Sequence, residues 1–236
     1  MKSPFMKGIS HGLPIALGYF SVSFGFGIMA VKSGISAINS IIISLTNMTS
    51  AGQAAGVGII AAGGTFLEMA ATQFVINLRY SLMGLSLSQK LDKSFNTFHR
   101  MIASFGITDE IFAVAASQKE KLVPSYMYGM ILIACIGWTG GTAAGAFAGT
   151  ALPAEITAAM GIMLYGMFIA IIIPAARNSR KDFIVIIIAA ALSVIFKYLL
   201  PDLSFGFAII ISSVAASVIG ALLFPINIAD NEEDDR

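Results

Sequence analysis

The 236 residues are 57% hydrophobic and 11% charged, with a formal net charge of +1 at pH 7. Soluble domains run at roughly 45–50% apolar and about 25% charged. This chain therefore lacks the polar side chains to cover a water-facing surface. Disorder, a nucleic-acid-binding surface and a disulfide scaffold are excluded, and a soluble enzyme is strongly disfavoured. At roughly 20 apolar residues per crossing, the length and composition predict an all-α integral membrane protein, a polytopic helical bundle of about six to eight membrane segments. The single cysteine, Cys135, lies in an apolar run and has no partner for an internal disulfide.

In chain order, the first apolar run is Gly8 to Val31, between Lys7 and Lys32. Its length, Pro14 and the want of a small-x-small cleavage site make it a retained helix rather than a signal peptide. The second run, Ser33 to Leu67, is interrupted. Ile35–Leu45 and Ala54–Ala62 are each too short to span, and the polar stretch Thr46–Gln53 separates them. A broken or re-entrant segment near residues 35–62 is expected, with one kinked span as the other reading. Irregular backbone at membrane depth is tolerated only inside protein or beside a cavity. Ala70–Leu87 is apolar apart from Arg79. Leu122–Ala154, Ile156–Ala176, Phe183–Leu200 and Leu203–Ala229 follow. Residues 1–229 form one transmembrane domain, and residues 230–236 an acidic cytoplasmic tail.

Loop charge sets the orientation. With a cytoplasmic N-terminus and residues 35–62 re-entering, Lys2, Lys7, Lys90, Lys93, Arg100, Lys119, Lys121, Arg177, Arg180, Lys181 and Arg236 all lie inside. A crossing at 35–62 moves Lys90, Lys93 and Arg100 outside, a poorer fit. Both arrangements keep both termini cytoplasmic. No internal repeat is visible.

The chain has no Gly-Lys dipeptide and hence no P-loop. His11 and His99 are far apart, and no metal set or cofactor is expected. Intramembrane charges are costly and mark cavities or partners. Glu68, Thr72 and Arg79 share one helix face, and Gln73 and Asn77 a nearly opposite one. Glu68 and Arg79 are about 16 Å apart along the axis, too far to pair. Either they snorkel to opposite interfaces, or they serve substrate binding, coupling or internal structure. Thr108 can N-cap a helix with Asp109 and Glu110 in its first turn; alternatively these carboxylates hold a substrate amino group or a proton. Gly137, Gly141, Gly145 and Gly149 recur every four residues as a smooth helix-packing stripe. Trp138 beside it reads as an interface anchor.

The pattern resembles the azaleucine-resistance family, the AzlC-type large subunits of branched-chain amino-acid exporters. The resemblance rests on Gly12-x-Pro14, Gly18-Tyr19 and Phe24-Gly25, then Ser44 and Ala51-Gly52. It continues with Asn77-x-Arg79, Gly84-x-Ser86-Leu87 and Thr108-Asp109-Glu110 with Phe112. One departure stands out. Where many members carry Phe-Ala-Gly-Ala-x-Gln, this chain has Ser50 for the aromatic, Ala55 for the glutamine, and Gln53 two positions early.

The resemblance implies a permease of a bacterial inner membrane, paired with a small hydrophobic AzlD-type subunit. It implies export of branched-chain or related amino acids, with Asn77, Arg79, Asp109 and Glu110 as site residues. The polar break adds Ser50 and Gln53 as substrate-binding residues. Glu68, Asp109 and Glu110 are the expected groups for coupling or for the substrate amino group. The missing nucleotide motif points to an ion or proton gradient as the driving force. Expected partners are membrane lipid, the small subunit and a small zwitterionic amino acid, and no nucleic acid. The other reading is a scaffold or accessory subunit without its own transport path.

Overall fold

The computed structural model describes residues 3–148 and 176–225, with residues 153, 155, 166, 169 and 172–174. Among these the chain is helical, and the only strand-like pairing is the isolated bridge between Leu91 and Leu122. The helices are α1 (Pro4–Lys32), α2 (Ala37–Thr46), α3 (Ser50–Ala61), α4 (Phe66–Ser88) and α5 (Thr97–Phe105), followed by α6 (Asp109–Ala116), α7 (Pro124–Ala148), α8 (Arg180–Leu199) and α9 (Phe205–Leu223). Helices α1, α7, α8 and α9 are long and apolar enough to cross a membrane. The 23-residue α4 is long enough as well, but carries Glu68 and Arg79.

The largest interface joins α1 and α7. They run parallel, because Gly8 meets Tyr126 near their starts and Gly27 meets Thr142 and Ala146 near their ends. Glycines on both helices allow backbone to touch backbone. A Cβ at Gly137, Gly141 or Gly145 would overlap the carbonyl oxygen of Ala16, Phe20 or Phe24 respectively. This is close small-residue packing, which a lipid surround favours. Gly149 lies outside the described residues, as does the acidic tail.

The second apolar run is a helical hairpin that enters and leaves at one face. Ile35, before α2, and Val57, in α3, both pack on Phe26 and Ala30 near the end of α1. Between them the chain unwinds at Asn47–Thr49, with Asn47 extended at φ −148° and ψ 114°. The unwound part is shorter than the polar stretch, because Ser50–Gln53 already form the first turn of α3 behind the cap Thr49. Gly63, at φ +67°, then reverses the chain into α4.

Helices α5 and α6 form a second hairpin, from the N-terminal face. The Lys90 amine, just past α4, donates to the carbonyls of Ala116 and Gln118 past α6. Leu122 N–H donates to Lys90 O at 2.9 Å, and Lys7 lies 3.5 Å from Glu120. These contacts gather the start of α1, the end of α4, the end of α6 and the start of α7. From that face α5 climbs, turns at Gly106–Thr108, and α6 descends. The tip meets Tyr19, near the midpoint of α1.

The order is therefore a long helix followed by a hairpin from the face where it ends, twice over and inverted. Helix α1 is followed by α2–α3, and the oppositely directed α4 by α5–α6.

Candidate functional site

The tips of both hairpins converge at mid-depth, and each is organised by a threonine cap. Thr49 Oγ1 accepts from Gly52 N–H at 3.3 Å, and Thr108 Oγ1 from Ile111 N–H at 3.3 Å. A cap of this kind satisfies one of the free amides at a helix start. The caps also reach outwards. Thr49 donates to Asn77 Oδ1 at 2.6 Å, at the midpoint of α4. Gln73 Nε2 donates to Gly52 O at 2.7 Å, and Asn77 Nδ2 to Gln73 Oε1 at 3.2 Å.

Gln53 ties the α2–α3 hairpin to α7. Its amide donates to Ser44 Oγ at 2.9 Å, and its carbonyl accepts from Trp138 Nε1 at 2.9 Å. Ser44 and Thr142 hydroxyls are 2.7 Å apart, and Thr142 donates to Trp138 O at 3.1 Å. One proton per hydroxyl then makes Ser44 the donor to Thr142. All four side chains are buried. A buried polar network satisfied at each member specifies one arrangement.

At the other tip, Tyr19 Oη lies 2.6 Å from Thr108 Oγ1 and 2.5 Å from Glu110 Oε2. With Glu110 ionised, the single phenol proton goes to the carboxylate and Thr108 supplies its own to the phenol oxygen. Arg79 Nη2 lies 3.0 Å from Asp109 Oδ2, with side chains 36% and 26% exposed. The guanidinium also sits 5.0 Å from the Tyr80 ring centroid. Arg79 Nε is buried and has no hydrogen-bond partner. The two tips are joined into a circuit. Tyr19 packs edge-on against Trp138 at 5.2 Å, Trp138 holds Gln53 in α3, and α4 carries Asn77 and Arg79 two residues apart.

Of the residues singled out from the sequence, Arg79 meets Asp109, with Glu110 next in the chain bonded to Tyr19, while Asn77 faces the other tip through Thr49. Ser50 is the first residue of α3, and Gln53 is committed to the internal network. Glu68 is elsewhere. Its carboxylate, in a residue only 4% exposed, accepts from Gly206 N–H at 2.8 Å in the first turn of α9. It caps that helix in trans where Ser204 makes no side-chain cap. Glu68 is thus capped inside the protein rather than snorkelling, and Arg79 is paired with Asp109. Trp138 is not an interface anchor either. It is 1% exposed, because its indole N–H is needed by Gln53.

Sequence reasoning passed over Tyr19, Thr49 and Thr142 as site residues. Tyr19 was visible only as part of a short Gly-Tyr pair, and Thr49 only as one of several hydroxyls in the break. Among the described residues, no three His, Cys, Asp or Glu side chains converge to hold a metal.

The family model described as "AzlC protein" matches residues 14–152. The chain is 28% identical over 205 residues to "Inner membrane protein YgaZ" of Escherichia coli (strain K12), covering 84% of this chain and 83% of the relative. It is also 28% identical over 176 residues to an "Uncharacterized membrane protein" of Archaeoglobus fulgidus, covering 74% and 77%. No solved structure matches. The matched span contains both hairpins and every residue of the circuit.

Proposed function

The chain belongs to the AzlC family of membrane proteins, and from that premise we propose that it is a permease exporting small zwitterionic amino acids of the branched-chain class. The observation that carries this reading is the Arg79–Asp109 pair, held at mid-depth where two half-membrane hairpins meet. A zwitterion presents the same two charges. Its carboxylate takes Arg79, whose Nε has a free hydrogen, and its ammonium takes Asp109 with Glu110 beside it. The pair closes on itself when the site is empty and opens around substrate.

The two tips differ in the way such a substrate requires. The first turn of α3 has no acidic residue, whereas that of α6 has two. The positive end of α3 therefore favours an anionic group, and the acids reverse that preference at α6. Inverted hairpins supply alternating access to the two faces. In this reading the coupling carboxylates are Asp109 and Glu110, the driving force is a proton or ion gradient, and Glu68 is structural. The protein sits in a bacterial inner membrane with both termini cytoplasmic and works with a small hydrophobic AzlD-type subunit.

The test is growth of an expressing strain on toxic branched-chain analogues, with and without the co-expressed small subunit, followed by efflux of labelled valine or leucine. Resistance that requires this chain and disappears with Arg79→Ala is expected. Transport by the small subunit alone in proteoliposomes would assign this chain an accessory role instead.

A further inference from the structure

Beside the charged crossing, an open cleft of about 350 Å³ runs along one face of α1, with Glu110 of α6 at its edge. Its walls are Pro14, Ile15, Gly18 and Val22, and its polar end is Tyr19 with Glu110. It is thus an aliphatic surface ending at a carboxylate, one residue along the chain from the Arg79–Asp109 pair.

Gly18 has no packing reason to be glycine. On the same helix, Gly8, Gly12 and Gly27 each lie against the backbone of α7, so that a Cβ would collide. At Gly18 an added Cβ would meet nothing within 4 Å. A glycine inside a helix is destabilising relative to alanine, and here neither a turn nor a close helix approach compensates. Gly84 in α4 is similarly open, but it lines a smaller apolar cavity of about 170 Å³ with Leu87, Leu91 and Phe95, away from the crossing. Of these two, the Gly18 opening adjoins an acidic group.

We propose that this cleft is the side-chain subsite of the transported amino acid, that Glu110 faces its ammonium, and that Gly18 sets the largest side chain admitted. The inference rests on the permease reading and adds to it the size selectivity of the site. The cleft suits an unbranched or branched aliphatic group, since its walls offer no hydrogen-bond partner to a polar side chain. Its volume is at the lower end of small-molecule sites, roughly 300–1,000 Å³.

The experiment measures uptake into everted membrane vesicles carrying the full chain, over a graded series from alanine through valine to leucine. Gly18→Leu fills the cleft and is expected to lower transport of the bulkiest substrate at least tenfold, while the smallest transported substrate changes less than threefold. Ile15→Ala widens the cleft and is expected to shift the ratio the other way. Retained transport of the small substrate shows that Gly18→Leu has folded. If Gly18→Leu fails to insert, the ratio in Ile15→Ala decides alone. A wild-type-like ratio in every inserted variant overturns the subsite and leaves the permease reading standing. A wild-type chain that transports no member of the series, with or without the small subunit, overturns both.

Discussion

The charge pair at the crossing separates a structural from a transport role when both partners are removed. In Arg79→Ala, Asp109 loses the one ion-pair partner it has among the described residues. Breaking a fully buried pair costs about 3–5 kcal/mol because one charge is left uncompensated. Here the side chains are 36% and 26% exposed, and exposed pairs contribute about 0–1 kcal/mol, so a cost of about 2 kcal/mol is expected. Arg79→Ala with Asp109→Ala removes both charges and should restore stability to within about 1 kcal/mol of the parent. Export should behave differently. If Arg79 and Asp109 each hold a charged end of the substrate, each single variant loses a charge-assisted hydrogen bond worth about 1.5–3 kcal/mol. At 1.4 kcal/mol per decade, that is a loss of about 10–150-fold in transport efficiency. The double variant should lose at least as much. The assays are thermal unfolding in detergent and initial rates of valine or leucine export from the same preparations. A double variant that regains both stability and export to within threefold of the parent would refute the argument, because the pair would then be only a strut.

Neighbouring glycines on α7 should have opposite fates. A Cβ at Gly141 would overlap the Phe20 carbonyl and the Ser23 hydroxyl, whereas one at Gly140 would sit 3.9 Å from the Phe20 ring. Gly141→Ala should therefore cost about 1–3 kcal/mol, and Gly140→Ala should be neutral or gain about 0.5–1 kcal/mol, read as a thermal shift. Glu68→Ala should lose about 0.5–2 kcal/mol as a missing helix cap. Glu68→Gln should keep much of that and leave the gradient dependence of export unchanged; export uncoupled from the gradient in Glu68→Gln would return Glu68 to the coupling machinery. Cys135 Sγ lies 2.9 Å from Met48 Sδ at the first hairpin tip. Cross-linking Met48→Cys to this sole native cysteine with a short bis-methanethiosulfonate, which expels methanesulfinate as each disulfide forms, should cut export more than tenfold, reversibly on reduction. Undiminished export from the linked protein would mean that the α2–α3 hairpin does not move against α7.

The long helices were legible because burial in lipid demands unbroken apolar runs: Gly8–Val31 became Pro4–Lys32, and Leu203–Ala229 became Phe205–Leu223. The broken segment was legible for the same reason, since two apolar pieces of about ten residues cannot span about 30 Å of hydrocarbon. Its re-entry was not fixed by composition, because hydropathy records depth and not direction. The second hairpin was harder still. Thr108 with Asp109 and Glu110 read correctly as a helix start, but nothing local places that start at mid-depth. What does is Tyr19, 89 residues away, and the staple from Lys90 to the end of α6. Glu68 shows the limit most clearly. Its partner is an amide 138 residues further on, and no local pattern distinguishes a carboxylate that caps a distant helix from one that binds an ion.

The two halves share an inverted architecture but few residues, so no repeat is visible in the sequence and the site has two unlike poles. The two halves share what the geometry needs: a long helix, a hairpin of half-membrane pieces, and a threonine capping the returning helix at mid-depth. Each long helix grips the tip of the other half's hairpin, Tyr19 of α1 on Thr108 and Glu110, and Gln73 with Asn77 of α4 on Gly52 and Thr49. Beyond the cap the halves diverge where charge matters. Thr49 is followed by the neutral Ser50 and Ala51, and Thr108 by Asp109 and Glu110. Helix starts are positive by construction, so a symmetric backbone would make two anion sites. In the proposed reading, two acids make the α6 tip a cation site, and Arg79 of α4, paired with Asp109, supplies the positive charge beside it. A scaffold protein has no use for that asymmetry at the centre of a membrane. In the proposed reading a carrier of zwitterions does, because its substrate would bring one charge of each sign and be held by both halves before either hairpin gave way.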